Sequence, residues 1–259
     1  MNQNKVAQKS IDPATQALLS RAEQEGVDVA WDRLAKQEPQ CGFGLLGICC
    51  RNCNMGPCRI DPFGNGPDRG VCGATADTIV ARNLLRAIAA GAAAHSDHGR
   101  DIVETLLHTA AGKASDYEIK DKEKLLALAG ELNVPREGRS DKEIALDIAH
   151  KALDEFGIAK GHLELLARAP AQRKEKWSTL GITPRGIDRE IVEIMHRTHI
   201  GVDTDYVNLI LQGLRAALSD GWGGSMWATE LSDVLFGTPK PHRGRSEEHT
   251  SELQSHHDL

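Results

Sequence analysis

No cysteine occurs after Cys72 in a chain of 259 residues, and none before Cys41. Aromatic side chains are scarce too, at 4 % of the total, while Ala, Leu, Glu and Lys abound. That imbalance argues for helices over a sheet sandwich, because straight-chain side chains lose little rotamer freedom in a helix. No apolar run reaches the about 18 residues that a membrane-spanning helix needs, so no span is expected. Lys and Arg, 31 together, are outnumbered by 37 Asp and Glu, and the net charge of −6 leaves no basic footprint for nucleic acid. Residues 1–10 are polar and hold no apolar core, so no secretory signal is expected. Apolar and polar residues nowhere alternate long enough for a convincing strand, and no internal repeat is found. These absences point to the cytoplasm, where thiols are mostly kept reduced and clustered cysteines are metal ligands before they are disulfides.

Helix signals fill most of what remains. Asp12 before Pro13 is a cap followed by proline at the first helical position, which predicts a helix over 14–25 that stops at Gly26. A second, over 28–37, is expected to use Asp28 as its cap. From residue 74 the apolar positions Ile79, Leu84, Leu85, Ile88, Ile102, Val103, Leu106 and Leu107 predict one long helix, or two that abut at Gly91 or Gly99. Weaker helices are expected over 121–133, 141–156 and 162–168. The stretch 187–199 is strongly amphipathic, with Ile187, Ile191, Ile194 and Met195 on one face. A helix over 206–218 has Asp203 or Thr204 as its cap, and the glycine-rich 220–224 opens a last short helix ending near Phe236. The expected fold is therefore all-α. It divides into N-terminal helices over 1–38, an irregular cysteine-rich loop over 39–73, a helical domain over 74–243 and an unstructured tail over 244–259. The tail carries RSEEHTSELQSH, the peptide that a common sequencing-adapter oligonucleotide encodes in one frame. It is read as foreign, with the natural protein expected to continue past Gly244.

The six cysteines, Cys41, Cys49, Cys50, Cys53, Cys58 and Cys72, follow the pattern C-x7-C-C-x2-C-x4-C-x13-C. They sit in or beside the stretch 39–71, rich in Gly, Pro, Asn and Asp. So long a structureless loop inside a compact protein needs an organiser, and the thiols identify it as metal. Structural zinc usually takes paired C-x2-C knuckles, and only Cys50 and Cys53 have that spacing. Glycines at 42, 44, 47, 56, 64, 66, 70 and 73 let the backbone wrap closely and aim N–H groups at sulfide. Four thiolates close a [4Fe–4S] site, and the best set is Cys50, Cys53, Cys58 and Cys72. Cys41 and Cys49 are left over. They are spare core thiols, a redox pair, or half the ligands of a cluster completed by a two-fold-related copy. Arg51 and Arg59 flank the ligands and either offset cluster charge or are ordinary surface residues.

The segments CGFGLLGICCRNCNMGPCRIDPFG, GVCGATADTIVARNLLRAIAAGAAAHSDHG and HRTHIGVDTDYVNLILQGLRAALSDGWGGSMWATELSDVLFGTPKP closely resemble the catalytic subunit of the anaerobic nickel-dependent carbon monoxide dehydrogenases. The resemblance covers nearly all of residues 10–243. It implies that Cys50, Cys53, Cys58 and Cys72 hold a relay [4Fe–4S] cluster, and that Cys41 and Cys49 hold a [4Fe–4S] cluster shared across a homodimer. It also implies the oxidation of CO and water to CO2, two protons and two electrons, with a ferredoxin-like acceptor. The family's nickel–iron–sulfur active site is held by later α/β domains that are absent from this chain, so the fragment by itself is expected to be inactive. His95 and His98, three apart on one helix, match histidines for which the family has a proton-relay role. The sequence departs at the next steps, with Asp101 and Glu104. His196 and His199 share the spacing and are read as packing or hydrogen-bonding residues. The rival readings are a hybrid-cluster-type reductase and a non-catalytic module, either an iron–sulfur electron-transfer module or a zinc-stabilised one.

Overall fold

The computed structural model describes residues 6, 8–159 and 161–240, and every structural statement below concerns these. The tail read as foreign lies outside the described residues. Ten α-helices are described: α1 (Pro13–Gln24), α2 (Ala30–Ala35), α3 (Gly42–Leu45), α4 (Ala76–Ala110), α5 (Lys122–Glu131), α6 (Asp141–Gly157), α7 (Ala171–Thr179), α8 (Ile187–Arg197), α9 (Tyr206–Ser219) and α10 (Ser225–Phe236). A 3₁₀ turn, Glu164–Arg168, occupies the place expected for a helix over 162–168. The described β-structure is one two-residue antiparallel pair, β1 (Cys49–Cys50) and β2 (Cys58–Arg59). The protein is thus mostly helical, as its composition requires.

The helix α4, 35 residues and about 50 Å long, is the spine. Thr75 caps it by accepting from the Thr78 amide. Its first half buries Ala81, Leu85 and Ala89 against Ile194 of α8 and Leu209 and Ala216 of α9. Its second half buries Val103, Leu106 and Ala110 in the main core, with Leu125, Ile144, Ile148, Phe156, Trp227 and Leu231. Of the two alternatives, one long helix or two abutting at Gly91 or Gly99, the structure has the first: α4 runs through both glycines. Gly91 faces open space, whereas Gly99 is where another backbone crosses, since a Cβ there would lie 2.6 Å from the Gly224 carbonyl oxygen. Gly224 ends a π-helical turn, Asp220–Gly224, that carries α9 into α10. Gly99 therefore marks a close helix approach and not a termination.

Several caps differ from expectation. The Asp28 carboxylate pairs with Lys36 at 3.0 Å and is not the cap of α2; Asp32 accepts from the Val29 amide instead. Asp205 caps α9 by accepting from the Val207 and Asn208 amides, while Asp203 accepts from the Asp205 amide one turn outside it. On α8, Ile187 and Ile194 are buried but Met195 is 45 % exposed. The helix α7 carries almost no apolar signal, which is why periodicity does not find it; Trp177 anchors it against Trp222, ring centroids 6.2 Å apart.

Candidate metal centre

The β1–β2 pair sets Cys50 opposite Cys58 and Cys49 opposite Arg59. Successive residues of a strand point to opposite faces, so Cys50 and Cys58 share one face while Cys49 and Arg59 take the other. Cys50 is 7 % exposed, its neighbour Cys49 half-buried and Arg59 exposed. A small apolar cluster of Ile48, Ile60, Ala74 and Ile79 backs the pair. The turn between the strands brings in Cys53. Gly56 lets that turn lie against the hairpin, because a Cβ there would come within 3.0 Å of the Cys58 amide nitrogen and 3.3 Å of the Cys50 carbonyl oxygen. Beyond β2, the Asp61 carboxylate accepts from the Phe63 and Asn65 amides and turns the chain back towards Cys72, at the foot of α4.

Cys50, Cys53, Cys58 and Cys72 line one cavity, walled on the far side by Thr198 and Ile200 from the α8–α9 connection. The Val71 amide donates to the Cys58 sulfur and Arg82 Nη1 to the Cys72 sulfur, each at 3.4 Å. Burial pushes the Cys72 thiol up, but the Arg82 hydrogen bond, the Ala74 amide and the guanidinium charge together outweigh it and hold the thiol below its ordinary value. Two donors at this cavity have no partner: Asn52 Nδ2 and Arg82 Nε are buried and unbonded. Four soft sulfur ligands lining one space, two of them already accepting N–H hydrogen bonds, fit an iron–sulfur cluster. Among the described residues, no three His, Cys, Asp or Glu side chains meet closely enough for a single metal ion.

Cys41 and Cys49 do not line this cavity. Cys41 is exposed at the N-cap position of α3, and the Gly44 and Phe43 amides, then the Arg59 charge, hold its thiol below its ordinary value. Asn83 Nδ2 donates to the carbonyls of Gly47 and Cys49 at 2.8 and 3.0 Å, fixing that side of the loop to α4. His95 Nδ1 lies 2.9 Å from Asp220 Oδ1 and so ties α4 to the π turn, whereas His98, Asp101 and Glu104 are exposed. His196 and His199, read as packing or hydrogen-bonding residues, are exposed, which removes the packing alternative. Arg51 and Arg59 are surface residues, Arg59 lying over the Phe43 ring at 4.9 Å. The buried cation at the site is Arg82, 1 % exposed, which the sequence reading did not single out. Its one signal in the sequence was a charge on the otherwise apolar face Ile79–Leu85–Ala89.

The chain has relatives among known proteins. The chain is 63 % identical over 234 residues to carbon monoxide dehydrogenase 1 of Methanosarcina mazei, covering 90 % of this chain. It is 52 % identical over 235 residues to carbon monoxide dehydrogenase 1 of Carboxydothermus hydrogenoformans. It spans about 37 % of the length of each of these relatives. A nickel-free carbon monoxide dehydrogenase structure from Thermococcus sp. AM4 superposes with a TM-score of 0.86 at 56 % identity, over 93 % of this chain and 38 % of that one. The model of the Prismane/CO dehydrogenase family matches residues 48–251, of which the last few fall in the tail whose reading rests on sequence only. With the family model matching well over half of its length, the chain belongs to the Prismane/CO dehydrogenase family.

Proposed function

We propose that this chain is the N-terminal electron-relay and dimerisation part of an anaerobic carbon monoxide dehydrogenase, binding a [4Fe–4S] cluster through Cys50, Cys53, Cys58 and Cys72. The observation that carries this is the single cavity lined by four thiols, two of which accept N–H hydrogen bonds, in a chain 63 % identical to such an enzyme. When bound, the cluster supplies one-electron transfer between a nickel–iron–sulfur site elsewhere in the full protein and an outside acceptor. The chain's own part is to hold four thiolates, donate N–H groups to sulfur through Val71 and Arg82, and keep water out with Ile48, Ile60 and Ile79. No cysteine follows Cys72, so this chain by itself is expected not to oxidise CO.

Cys41 and Cys49 are assigned to a second [4Fe–4S] cluster shared with a two-fold-related copy, each chain giving two thiolates. The opposed faces of β1 support this, since they turn Cys49 away from the relay cavity. By resemblance, His95 and His98 carry protons; Asp220 fixes the orientation of His95 and leaves Nε2 free to exchange. The setting is a homodimer in the cytoplasm, with a ferredoxin-like acceptor and no nucleic acid. No helix among the described residues is long and apolar enough to cross a membrane.

Anaerobic reconstitution with ferrous iron and sulfide tests both assignments. The parent should take up iron and acid-labile sulfide in equal amounts. Any one of Cys50→Ser, Cys53→Ser, Cys58→Ser or Cys72→Ser should lower both. The double variant Cys41→Ser/Cys49→Ser should lose about half a cluster per chain. Bound zinc without sulfide would establish the zinc-stabilised module instead, and an unchanged iron count in the double variant would remove the shared cluster. The relatives compared are named carbon monoxide dehydrogenases, which does not favour a hybrid-cluster reductase.

A further inference from the structure

Arg82 makes contacts that a merely structural arginine does not need. It lies on the second turn of α4, 1 % exposed, with its head against the cysteine cavity. Nη2 donates to the Asp203 carbonyl at 2.6 Å, which fixes the plane of the guanidinium. Nη1 donates to the Cys72 sulfur at 3.4 Å. Nε is buried and has no partner. A buried N–H without an acceptor is rare, because it forfeits its hydrogen bonds to water. No carboxylate lines that cavity to neutralise the charge.

We propose that Arg82 is the positioning residue that sets the reduction potential of the cluster held by Cys50, Cys53, Cys58 and Cys72. The inference rests on the cluster assignment above. Reduction adds one electron, and so one negative charge, to the cluster and its thiolates. A hydrogen bond to a ligand sulfur and a full positive charge both favour the reduced form, and each raises the midpoint potential. The charge acts strongly because it is buried, whereas Arg51 and Arg59 sit in solvent and are screened. Arginine suits the task better than lysine. Its planar fork gives separate donors to Asp203 and to Cys72 at the same time.

The test compares the whole chain with Arg82→Lys, Arg82→Gln and Arg82→Met, all reconstituted anaerobically. Iron and acid-labile sulfide are measured first, and then the midpoint potential of the relay cluster by a redox titration followed by electron paramagnetic resonance. A Cys41→Ser/Cys49→Ser background leaves a single cluster to read. We expect loaded variants to keep the parent's iron content, with potentials falling in the order parent, Lys, Gln, Met. A potential unchanged from the parent in any loaded variant would overturn the proposal. So would a rise, which would mean that the removed side chain had only kept water out. If none of the three variants takes up a cluster that the parent holds, Arg82 is a folding residue and the proposal fails. If the parent takes up no cluster, it is the relay assignment that fails, and the two failures are distinguished by the first measurement.

Discussion

Glu155 lies near the end of α6 with 4 % of its surface exposed, and both of its oxygens are engaged: Trp227 Nε1 donates at 3.0 Å and the Glu164 amide at 2.8 Å. Burial pushes its carboxyl up to about 7, against the two hydrogen bonds that favour the charged form; the neighbouring Glu164 adds to the rise and Lys151 opposes it. The folded state therefore holds a proton that the unfolded state, near 4.5, has already lost. Its contribution to stability is fully present below pH 4.5 and drains away as pH rises towards 7, by roughly 3 kcal/mol at most. Glu155→Gln should flatten that slope in thermal unfolding between pH 5 and 8. It should also lower stability at pH 5 by about 1 kcal/mol, since its amide nitrogen must face one of the two donors. A slope equal to the parent's would show that Glu155 does not titrate in that window. Residues of this kind were illegible in the sequence, because an ordinary helical glutamate becomes a buried one only when Trp227, from a helix 72 positions away, closes over it. Arg82 was hidden for the same reason, its carbonyl partner lying 121 positions on. The cysteines were legible because their chemistry is carried by residue type and local spacing, before any tertiary contact is known.

At the scale of the element, the two glycines of α4 that suggested a break make opposite predictions. Gly91 faces open space, so Gly91→Ala should stabilise the chain by about 0.5–1 kcal/mol, the helix propensity gained. Gly99→Ala gains the same propensity. Its Cβ, however, meets backbone atoms of Gly224 at 2.6–3.1 Å, and neither helix can yield without shifting the π turn. Overpacking of this sort costs about 1–3 kcal/mol, so the net effect should be destabilising. Urea unfolding of the two variants checks the signs; stabilisation by both would show that the α4–α10 crossing is slack. Periodicity revealed that α4, α6, α8 and α9 exist, since each buries a repeating apolar stripe. It could not separate a glycine that ends a helix from one that admits a neighbour, and it passed over α7, whose sequence AQRKEKWST has one large apolar residue.

Taken whole, the molecule divides into a helical body with a large core and a cysteine loop with a small one. The body's core joins α4, α5, α6 and α10, while the loop contributes Ile48, Cys50 and Ile60 to a satellite cluster. With so little buried surface, the loop should depend on the proposed cluster for its order. Trypsin should cut the metal-free chain at the exposed Arg51, Arg59 and Arg69 while sparing the body, and reconstitution should slow those cuts several-fold. Equal cleavage with and without iron would mean that the loop is self-supporting. The cavity is also assembled from distant parts of the chain. Its four thiols come from residues 50–72, but its far wall is Thr198 and Ile200, and the latch on Arg82 is Asp203. On the ribosome the cysteines emerge first. At roughly 5–20 residues per second the wall follows on the order of ten seconds later. During that interval the four thiols stand in a cradle that lacks its far wall, which is complete only when Thr198 and Ile200 reach the cavity and the Asp203 carbonyl accepts from Arg82.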